Sequence, residues 1–372
     1  MSVDPIDLTR QLVSIESTTF HEARIGAFLH EFLETEGYTV ERTPVDTPDK
    51  ATAPGVPTDS EARFNLYAAL PGITPDVVLS THMDTVPPFF GLREDAEFLY
   101  GRGACDAKGI IAAQIAGASR LSSSGVNVGL LFVVGEERDS AGAAVANLHP
   151  KGSRFLINGE PTNNRLALAS KGALRVELHA HGRMAHSAYP ELGDSAIDKL
   201  IQALHDLLAM PLPFEPTLGE DGHSTLNIGL LHGGRAPNVV ADHAEAHLLI
   251  RLVGPSEDTR RQILDVVAGR ADVHFSLDLP FVRMRPVRMR QGGADLPTMI
   301  AKFTTDIPSL TAWGEPFLLG PGSIHVAHTP DEKIAKKELL EAVDLYFDLA
   351  TSLINGDELT SARIETARIE TH

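Results

Sequence analysis

The residues with the clearest potential for chemistry lie in the segment Leu79–Gly109. It contains the run H-M-D-T-V-P-P, with His82 two residues before Asp84, and the glycine-rich turn G-R-G-A-C-D-A-K-G, which presents Asp106. Imidazole nitrogens and carboxylate oxygens are the ligands that zinc-type divalent ions take from proteins. This segment therefore predicts part of a metal site.

Further metal-compatible residues follow the ends of later apolar runs. Glu136 and Glu137 follow one predicted strand, and Glu160 follows the next. Two ions held close together need roughly three protein ligands each, with one carboxylate shared and one position left for water. Together with His82, Asp106 and one late histidine, these carboxylates would supply such a set.

Two neighbouring residues are predicted to support the ligands. Asp84 lies on the same side of an extended chain as His82 and could accept the other ring N–H of His82, which would fix its tautomer. Glu136, adjacent to a ligand, would be placed to take a proton from the attacking water. Cys105 is interpreted as a small buried residue of a tight turn rather than a nucleophile.

The elements that must position these residues alternate along the first part of the chain. Short apolar strands separated by a helix predict an α/β layer with a largely parallel sheet, in which a ligand site forms beyond the carboxyl ends of the strands. A helix starting at Asp4-Pro5 and one ending at Gly37 precede this layer. The alternation consists of strands at 65–70, 77–81, 128–134 and 154–157 and a helix at 109–121.

From about Gly172 the pattern becomes strand, helix, two strands, helix and strand, the order of a ferredoxin-like unit. We therefore predict an inserted α+β lid domain at 172–283. The catalytic domain would be discontinuous, with a mixed, largely parallel sheet flanked by helices, and would comprise 1–171 and 284–356. The elements predicted in the lid are strands at 173–180, 225–231, 244–253 and 272–279 and helices at 195–209 and 256–269.

The remaining segments receive structural interpretations. Residues 43–61 are predicted to form an exposed loop, the arginine-rich stretch Arg283–Arg290 a solvated hinge strand, and Leu296–Thr305 a helix. A long amphipathic helix running to about Ile354 would close the catalytic domain. The polar tail at 357–372 is assigned no function.

Composition bounds the class of protein. A chain of 372 residues suggests about two domains, and 43% apolar with 22% charged residues is typical of globular proteins. A formal charge of −18 argues against nucleic acid and anionic membranes as partners. The single cysteine, the lack of a visible signal peptide and the absence of an apolar run near the roughly 20 residues of a membrane span make the cytoplasm the expected location.

Five motifs, in the order H-M-D-T-V-P-P, G-R-G-A-C-D-A-K-G, G-E-E-R-D-S-A-G, I-N-G-E-P-T and A-H-T-P-D-E, resemble one known family. This is the family of co-catalytic dizinc amidohydrolases that includes acetylornithine deacetylase, succinyl-diaminopimelate desuccinylase, aminoacylase and glutamate carboxypeptidase. The resemblance covers nearly the whole chain, including the lid, and leaves out only the tail after about Gly356. The ending G-P-G-S-I-H-V-A-H-T-P-D-E is most similar to acetylornithine deacetylases.

The resemblance implies specific roles for the matching residues. His82 would bind one zinc ion, Asp106 would bridge two, and Glu137 and Glu160 would divide between them. Glu136 would be the catalytic base. Two zinc ions are the implied cofactor, for which cobalt or manganese could substitute.

The last ligand is implied to be His328, the histidine just before the T-P-D-E run. His325, three residues earlier, is the competing assignment.

The resemblance also implies residues that face the substrate. His186 in G-R-M-A-H-S-A-Y-P would stabilise an oxyanion, and Asn238 and Arg251 would contact the substrate carboxylate. Gly320 and Gly322 would permit backbone approach to the substrate. The alternatives are a surface role for His186, a structural salt bridge for Arg251 and ordinary turns at the two glycines.

The implied activity is hydrolysis of an amide bond in an N-acyl amino acid, releasing a carboxylate and an amino acid. A metallo-exopeptidase or dipeptidase with the same site is one alternative, and a non-catalytic protein that binds metal or amino acid is another. The expected partner is a small N-acyl amino acid or dipeptide, and the lid is a predicted homodimer surface, through which His186 would reach the site of the other subunit.

Overall fold

The computed structural model describes residues 3–47, 62–291 and 294–355. The described chain divides into two compact units. The second unit comprises Leu168–Arg283 and Ile300–Pro308, and the first contains the other described residues. The predicted loop and tail lie largely outside the described residues, the loop from residue 48 onward and the tail entirely.

The described residues form both helices and strands. The helices are α1 (Pro5–Val13), α2 (Ala23–Thr35), α3 (Lys108–Ser123), α4 (Ala141–Asn147), α5 (Ala196–Ala209), α6 (Glu257–Val267) and α7 (Lys336–Asn355). The strands are β1 (Thr39–Val45), β2 (Arg63–Ala69), β3 (Val77–His82), β4 (Arg93–Glu94), β5 (Phe98–Tyr100), β6 (Val128–Val133), β7 (Phe155–Asn158), β8 (Leu166–Ser170), β9 (Gly172–His181), β10 (Thr225–Gly233), β11 (His243–Leu252), β12 (Asp272–Leu279), β13 (Val282–Arg283), β14 (Arg290–Gln291), β15 (Ala294–Asp295), β16 (Thr298–Ala301), β17 (Glu315–Leu318) and β18 (Lys333–Ala335).

The first unit is built on a mixed sheet whose centre is parallel. Its strands follow the order β1-β2-β6-β3-β7-β17, with β8 beside β17. Strands β6, β3, β7 and β17 run parallel, whereas β1, β2 and β8 pair antiparallel. Every residue of β3 and β6 is buried, which explains why these strands read as unbroken apolar runs. The predicted α/β fold class is confirmed.

Helices α3 and α7 cover this sheet closely because their contact uses small residues. A Cβ atom at Gly117 of α3 would lie 3.2 Å from Cβ of Tyr346 on α7, so the glycine permits the approach of the two helices. Helix α7 is amphipathic as predicted, but its buried face is displaced from the predicted stripe. Leu339 and Ala350 of that stripe are buried, whereas Leu340 is 50% exposed and Tyr346 and Leu353 are buried instead. Helix α1 begins as predicted, with Asp4 accepting the backbone N–H of Ile6 at 2.9 Å.

The second unit is a four-stranded antiparallel sheet with the strand order β10-β11-β9-β12. Helices α5 and α6 pack on one face of it, and their apolar residues share a core with the inward residues of β9 and β11. The chain order strand, helix, two strands, helix and strand confirms the predicted ferredoxin-like lid.

Two expectations near the end of the lid are wrong. The segment Leu296–Thr305 contains strand β16 rather than a helix, because its residues Thr298–Ala301 pair with β8. The predicted boundaries place residues 300–308 in the first unit, whereas the structure places them in the second. The physical reason is hydrogen bonding: Lys171 N–H donates to the Ala301 carbonyl at 2.9 Å.

Among the described residues, no helix combines the length and the apolar character that crossing a membrane requires.

Candidate metal centre

The centre of the site is His82, the last residue of β3, whose side chain is 1% exposed. Its Nδ1 atom lies 2.9 Å from the backbone carbonyl oxygen of Asp84, and its Nε2 atom lies 3.0 Å from Oδ1 of Asp106. A carbonyl oxygen can only accept, so this hydrogen bond assigns the ring proton to Nδ1. The Nε2 atom therefore faces Asp106, and it is the ring nitrogen on which a metal ion would replace the proton.

The carboxylate of Asp84 has a different role from the one predicted. Its Oδ1 atom is 3.6 Å from Nδ1 of His82, too long for a strong hydrogen bond, so the carbonyl of Asp84 orients the ring instead. The carboxylate accepts backbone N–H groups of Gly135, Glu136 and Glu137 at 2.9, 3.1 and 3.3 Å. Asp84 thus fixes the loop that carries both glutamates.

A second buried carboxylate holds the Asp106 loop in the same manner. The Oε1 atom of Glu332 accepts the backbone N–H groups of Gly103, Cys105 and Asp106 at 2.8, 3.2 and 3.2 Å. Its Oε2 atom pairs with Arg102, and both side chains are at most 2% exposed. Sequence reasoning missed Glu332 and Arg102, although both lie inside motifs that it quoted.

His328 brings its ring to the same carboxylates. Its Nε2 atom lies 3.0 Å from Glu137 and 3.4 Å from Oδ2 of Asp106. His328 and the competing His325 are both exposed, but it is the His328 ring that contacts Glu137 and Asp106, whereas the His325 backbone N–H is hydrogen-bonded to Ser323. The structure therefore brings together four predicted ligands and favours His328 over His325.

The spacing of these atoms fits a shared metal ion. Ligand atoms of His82, Asp106 and Glu137 all lie within 4.8 Å of one another. Two ligands of one tetrahedral zinc ion lie roughly 3.3 Å apart when the metal–ligand bonds are about 2.0–2.1 Å long. The pairs at 3.0 and 3.4 Å have this separation, and the donor set of imidazole and carboxylate groups suits zinc-type ions.

The electrostatics of the cluster favour positive charge at its centre. Burial alone would raise the pKa of Asp106, but hydrogen bonds from His328 and His82 outweigh it and lower the pKa well below its usual value. Hydrogen bonds to Asp106 and Glu137 raise the pKa of His328 to about 10. Burial by itself would lower the pKa of His82, yet its contacts with Asp106 and Asp84 hold that pKa well above the ordinary value. The carboxylates that stabilise positive charge on these histidines would stabilise a bound cation in the same way.

Two further predicted carboxylates, Glu136 and Glu160, follow the parallel strands β6 and β7. Glu160 is buried and follows β7, whose end is fastened to β3 because Thr81 Oγ1 donates to the Gly159 carbonyl at 2.8 Å. Glu136 is half-buried, and its negative charge contributes to the raised pKa of His82. Both carboxylates are therefore presented at the carboxyl ends of the parallel strands.

Gly320 and Gly322 have a structural reason to be glycine. A Cβ atom at Gly320 would lie 2.5 Å from the backbone oxygen of Glu160, and one at Gly322 would lie 2.6 Å from the Cys105 sulfur. Burial raises the pKa of the Cys105 thiol well above its usual value, which agrees with a packed rather than a nucleophilic cysteine. A substrate contact at either glycine stays a prediction.

In the second unit, His186 and Asn238 lie on adjacent segments. His186 is bridged to Val239, and the Ser187 N–H donates to the Asn238 carbonyl at 3.0 Å. The Ala188 N–H donates to Nδ1 of His186 at 3.1 Å, which assigns the ring proton to the exposed ring's Nε2 atom.

Arg251 lies at the other end of β11 from this pair. Its Nη1 atom donates to Thr304 Oγ1 at 3.1 Å. Arg251 is eight positions along the strand from His243, the first residue of β11, a length of about 27 Å. The second unit therefore does not bring Arg251 together with His186 and Asn238.

Comparison with known proteins identifies the class. The sequence pattern of peptidase family M20/M25/M40 matches residues 78–352. A probable carboxypeptidase of Neosartorya fischeri is 37% identical over 401 aligned positions, covering 93% of this chain and 86% of that protein. A peptidase M20 domain-containing protein of Schizosaccharomyces pombe is 36% identical over 351 positions, covering 92% and 82%.

Solved structures show the same fold. A tripeptidase from Staphylococcus aureus superposes with a TM-score of 0.75 at 22% identity, covering 94% of this chain and 99% of that one. The chain belongs to peptidase family M20/M25/M40, which confirms the resemblance found in its motifs. It is by class a metal-dependent hydrolase of amide bonds, as predicted.

Proposed function

We propose that this protein is a zinc-dependent exopeptidase that removes the C-terminal residue from short peptides, including dipeptides. The observation that carries the proposal is the convergence of His82, Asp106, Glu137 and His328, with pairs of ligand atoms 3.0–3.4 Å apart, at the carboxyl ends of the parallel strands. The names of the curated relatives, probable carboxypeptidases, support a peptide substrate.

The ligands would divide between two ions. His82 and His328 would each supply Nε2, Asp106 would present one oxygen to each side, and Glu137 and Glu160 would complete the set. The two contacts of Asp106 support its bridging role, since Oδ1 faces His82 and Oδ2 faces His328. When bound, the ions would polarise the scissile carbonyl and lower the pKa of the attacking water.

The remaining steps belong to side chains of the chain itself. Glu136 would accept a proton from the attacking water and return it to the leaving amine. Its position is fixed because its backbone N–H donates to Asp84 at 3.1 Å. His186 would donate a hydrogen bond from Nε2–H to the developing oxyanion. The Ala188 N–H donates to Nδ1 of His186, which supports the tautomer with the proton on Nε2.

Recognition of the terminal carboxylate would fall to Arg251 and Asn238. A guanidinium group can make two charge-assisted hydrogen bonds to one carboxylate. A free C-terminal carboxylate is what distinguishes the substrate of a carboxypeptidase from the interior of a longer peptide.

The distance within one lid between Arg251 and the pair His186 and Asn238 supports the predicted homodimer. Arg251 is about 27 Å of strand away from the segment that carries His186 and Asn238. A dipeptide is too short to contact both ends of one lid. The two ends would therefore serve one substrate only if His186 and Asn238 came from a second copy.

Hydrolysis of N-acyl amino acids stays a prediction that rests on the A-H-T-P-D-E motif and its surroundings. Such a substrate carries the same C-terminal carboxylate and a similar amide bond, so the metal centre accommodates both reactions. The choice between them depends on the pocket for the acyl or aminoacyl group.

The test is a substrate panel assayed with the zinc-loaded protein. Dipeptides, tripeptides, the same peptides with a C-terminal amide, and N-acetyl and N-succinyl amino acids would be incubated and the products identified by mass spectrometry. The proposal expects release of the C-terminal residue and loss of turnover on amidation. Turnover confined to the acyl amino acids would replace the peptidase with the deacylase, and removal of the N-terminal residue would exclude both.

A further inference from the structure

The face of the lid sheet that α5 and α6 leave uncovered carries an unusual set of side chains. Leu174, Val176, Leu178 and Ala180 of β9 point into the core under the helices. The alternate residues of the sheet therefore point to the other face. Six of the chain's sixteen histidines belong to this second set, together with three acidic residues: His179, His181, His232, His243, His247, His274, Glu177, Glu245 and Asp272.

The strand register arranges these residues in rows. Glu245 of β11 is paired with His232 on one side and with His179 on the other, and His179 is paired in turn with Asp272. Directly paired residues project to the same face with their Cα atoms about 4.5–5.5 Å apart. One row thus offers imidazole, carboxylate, imidazole and carboxylate across all four strands.

The neighbouring row places two histidines side by side. His181 is paired with His243, and their ring centroids are 6.0 Å apart. Two imidazoles on one metal ion have centroids roughly 5–6 Å apart when each metal–nitrogen bond is about 2.0–2.1 Å. The two rings have nearly that spacing already.

A carboxylate lies within reach of these rings. Oε2 of Glu245 is 3.6 Å from Nε2 of His243 and 3.8 Å from Nδ1 of His179. Oδ2 of Asp272 is 3.5 Å from Nε2 of His181. Because the side chains are 32–84% exposed, rotation about χ angles can bring three donors onto one ion without moving the backbone.

The surrounding charge does not oppose a cation. The Lys199 ammonium group donates to the His181 backbone carbonyl at 2.9 Å, and the same group is paired with Asp194, which offsets its charge. Glu245 and Asp272 add two negative charges to the cluster. A donor set of imidazole and carboxylate groups favours zinc-type and later transition-metal ions over calcium or magnesium.

We propose that this face holds a second, peripheral site for a zinc-type divalent ion, with His181, His243 and Glu245 as its principal ligands and His179 or Asp272 as the next donor. The site lies wholly within the lid and shares no residue with the His82–Asp106 cluster. It would bind with lower affinity than the buried cluster, because its ligands are exposed and must give up rotamer freedom.

The experiment compares zinc binding by the full-length protein and a His181→Gln/His243→Gln double variant. Glutamine keeps polarity and approximate length but removes both imidazole ligands. Equilibrium dialysis at micromolar free zinc is expected to show one equivalent more on the wild type, with equal thermal stability of the two zinc-free proteins. A His205→Gln variant, altered on exposed α5, is the matched control and should keep the extra equivalent.

The difference between variants cancels whatever zinc the buried cluster binds, so the result is independent of the proposed peptidase function. Equal stoichiometry in the double variant and the wild type would overturn the proposal. Loss of the extra equivalent of zinc from the His205→Gln control as well as from the double variant would also overturn it. A Glu245→Gln variant gives a second measure, because it should weaken the extra equivalent while both histidines remain.

Discussion

Glu332 Oε1 accepts the backbone N–H of Asp106 at 3.2 Å, so a carboxylate that is not itself a predicted ligand determines where Asp106 stands. The same oxygen accepts two further amides of the turn, and the other oxygen pairs with buried Arg102. The geometry of the candidate metal centre therefore depends on an acidic residue contributed from beyond the lid, next to the segment that carries His328.

Removing the amide contacts of Glu332 is expected to weaken metal binding. A single Glu332 variant would leave Arg102 buried without its counter-charge, which costs about 3–5 kcal/mol. We therefore compare Arg102→Leu/Glu332→Gln, which keeps an oxygen acceptor for the turn, with Arg102→Leu/Glu332→Leu, which keeps none. Chelator competition should show weaker zinc binding in the second double variant.

The reason is that each unsatisfied buried N–H costs about 1–3 kcal/mol, so the turn would rearrange to reach water. Thermal denaturation of the zinc-free variants measures how much the substitutions destabilise the fold independently of zinc binding. Equal zinc affinity of the two variants would show that Glu332 stabilises the turn without setting the position of Asp106.

Glu136→Gln is expected to abolish turnover while leaving the metal in place. The amide side chain keeps the size of Glu136 but cannot accept the proton, and general acid–base catalysis typically contributes about 100-fold to 10,000-fold. Metal content by elemental analysis and turnover of a cleaved dipeptide give the two measurements. Glu137→Gln is the matched control, because this neighbour contacts His328 and its loss should reduce metal content as well.

His328→Gln is expected to lower metal content, whereas His325→Gln should not. Only the first ring lies against Glu137 and Asp106, at 3.0 and 3.4 Å. Chelation of the metal should then destabilise the wild type more than the His328 variant, since a ligand that binds only the native state stabilises it by about 2.7 kcal/mol at 100 times its Kd. Loss of metal from the His325 variant alone would reverse the assignment.

The sequence predicted the ends of the parallel strands well because buried strands are apolar throughout and stop where polar residues begin. This change from apolar to polar residues identified His82 and the pair Glu136 and Glu137. The strand predicted at 77–81 is β3, which ends at His82. The lid was found because its amphipathic strands and helices alternate clearly. These features are local, so a single sequence records them.

Other features are tertiary and leave little local trace. Glu332 received no role from the sequence, and only the folded chain shows it 1% exposed and hydrogen-bonded to the Asp106 turn. The carboxylate of Asp84 was expected to serve His82 and instead caps the amides of a loop some fifty residues later. Strand β16 was predicted as a helix because a short segment has weak local preference and its pairing decides its state.

A buried pair of charged residues, Glu22 and Arg63, lies close enough to Asp84 for the charge of Asp84 to affect the pKa of Glu22. Glu22 and Arg63 both have side chains that are 0% exposed, with Oε1 and Nη1 3.3 Å apart. Burial, followed by repulsion from Asp84, raises the pKa of Glu22 to about 7. The folded protein therefore retains a proton that the unfolded chain releases near pH 4.5.

The contribution of Glu22 to stability should accordingly fall as the pH rises from about 4.5 to about 7 and then level, because the unfolded state binds fewer protons at this site in that window. The shift corresponds to a loss on the order of 3 kcal/mol at about 1.4 kcal/mol per pKa unit. Urea unfolding of the metal-free protein across this range should show the slope in the wild type and a smaller one in Glu22→Gln. Glu31→Gln, altered on the exposed side of α2, should keep the wild-type slope. A slope that persists unchanged in Glu22→Gln would assign the titration to another group.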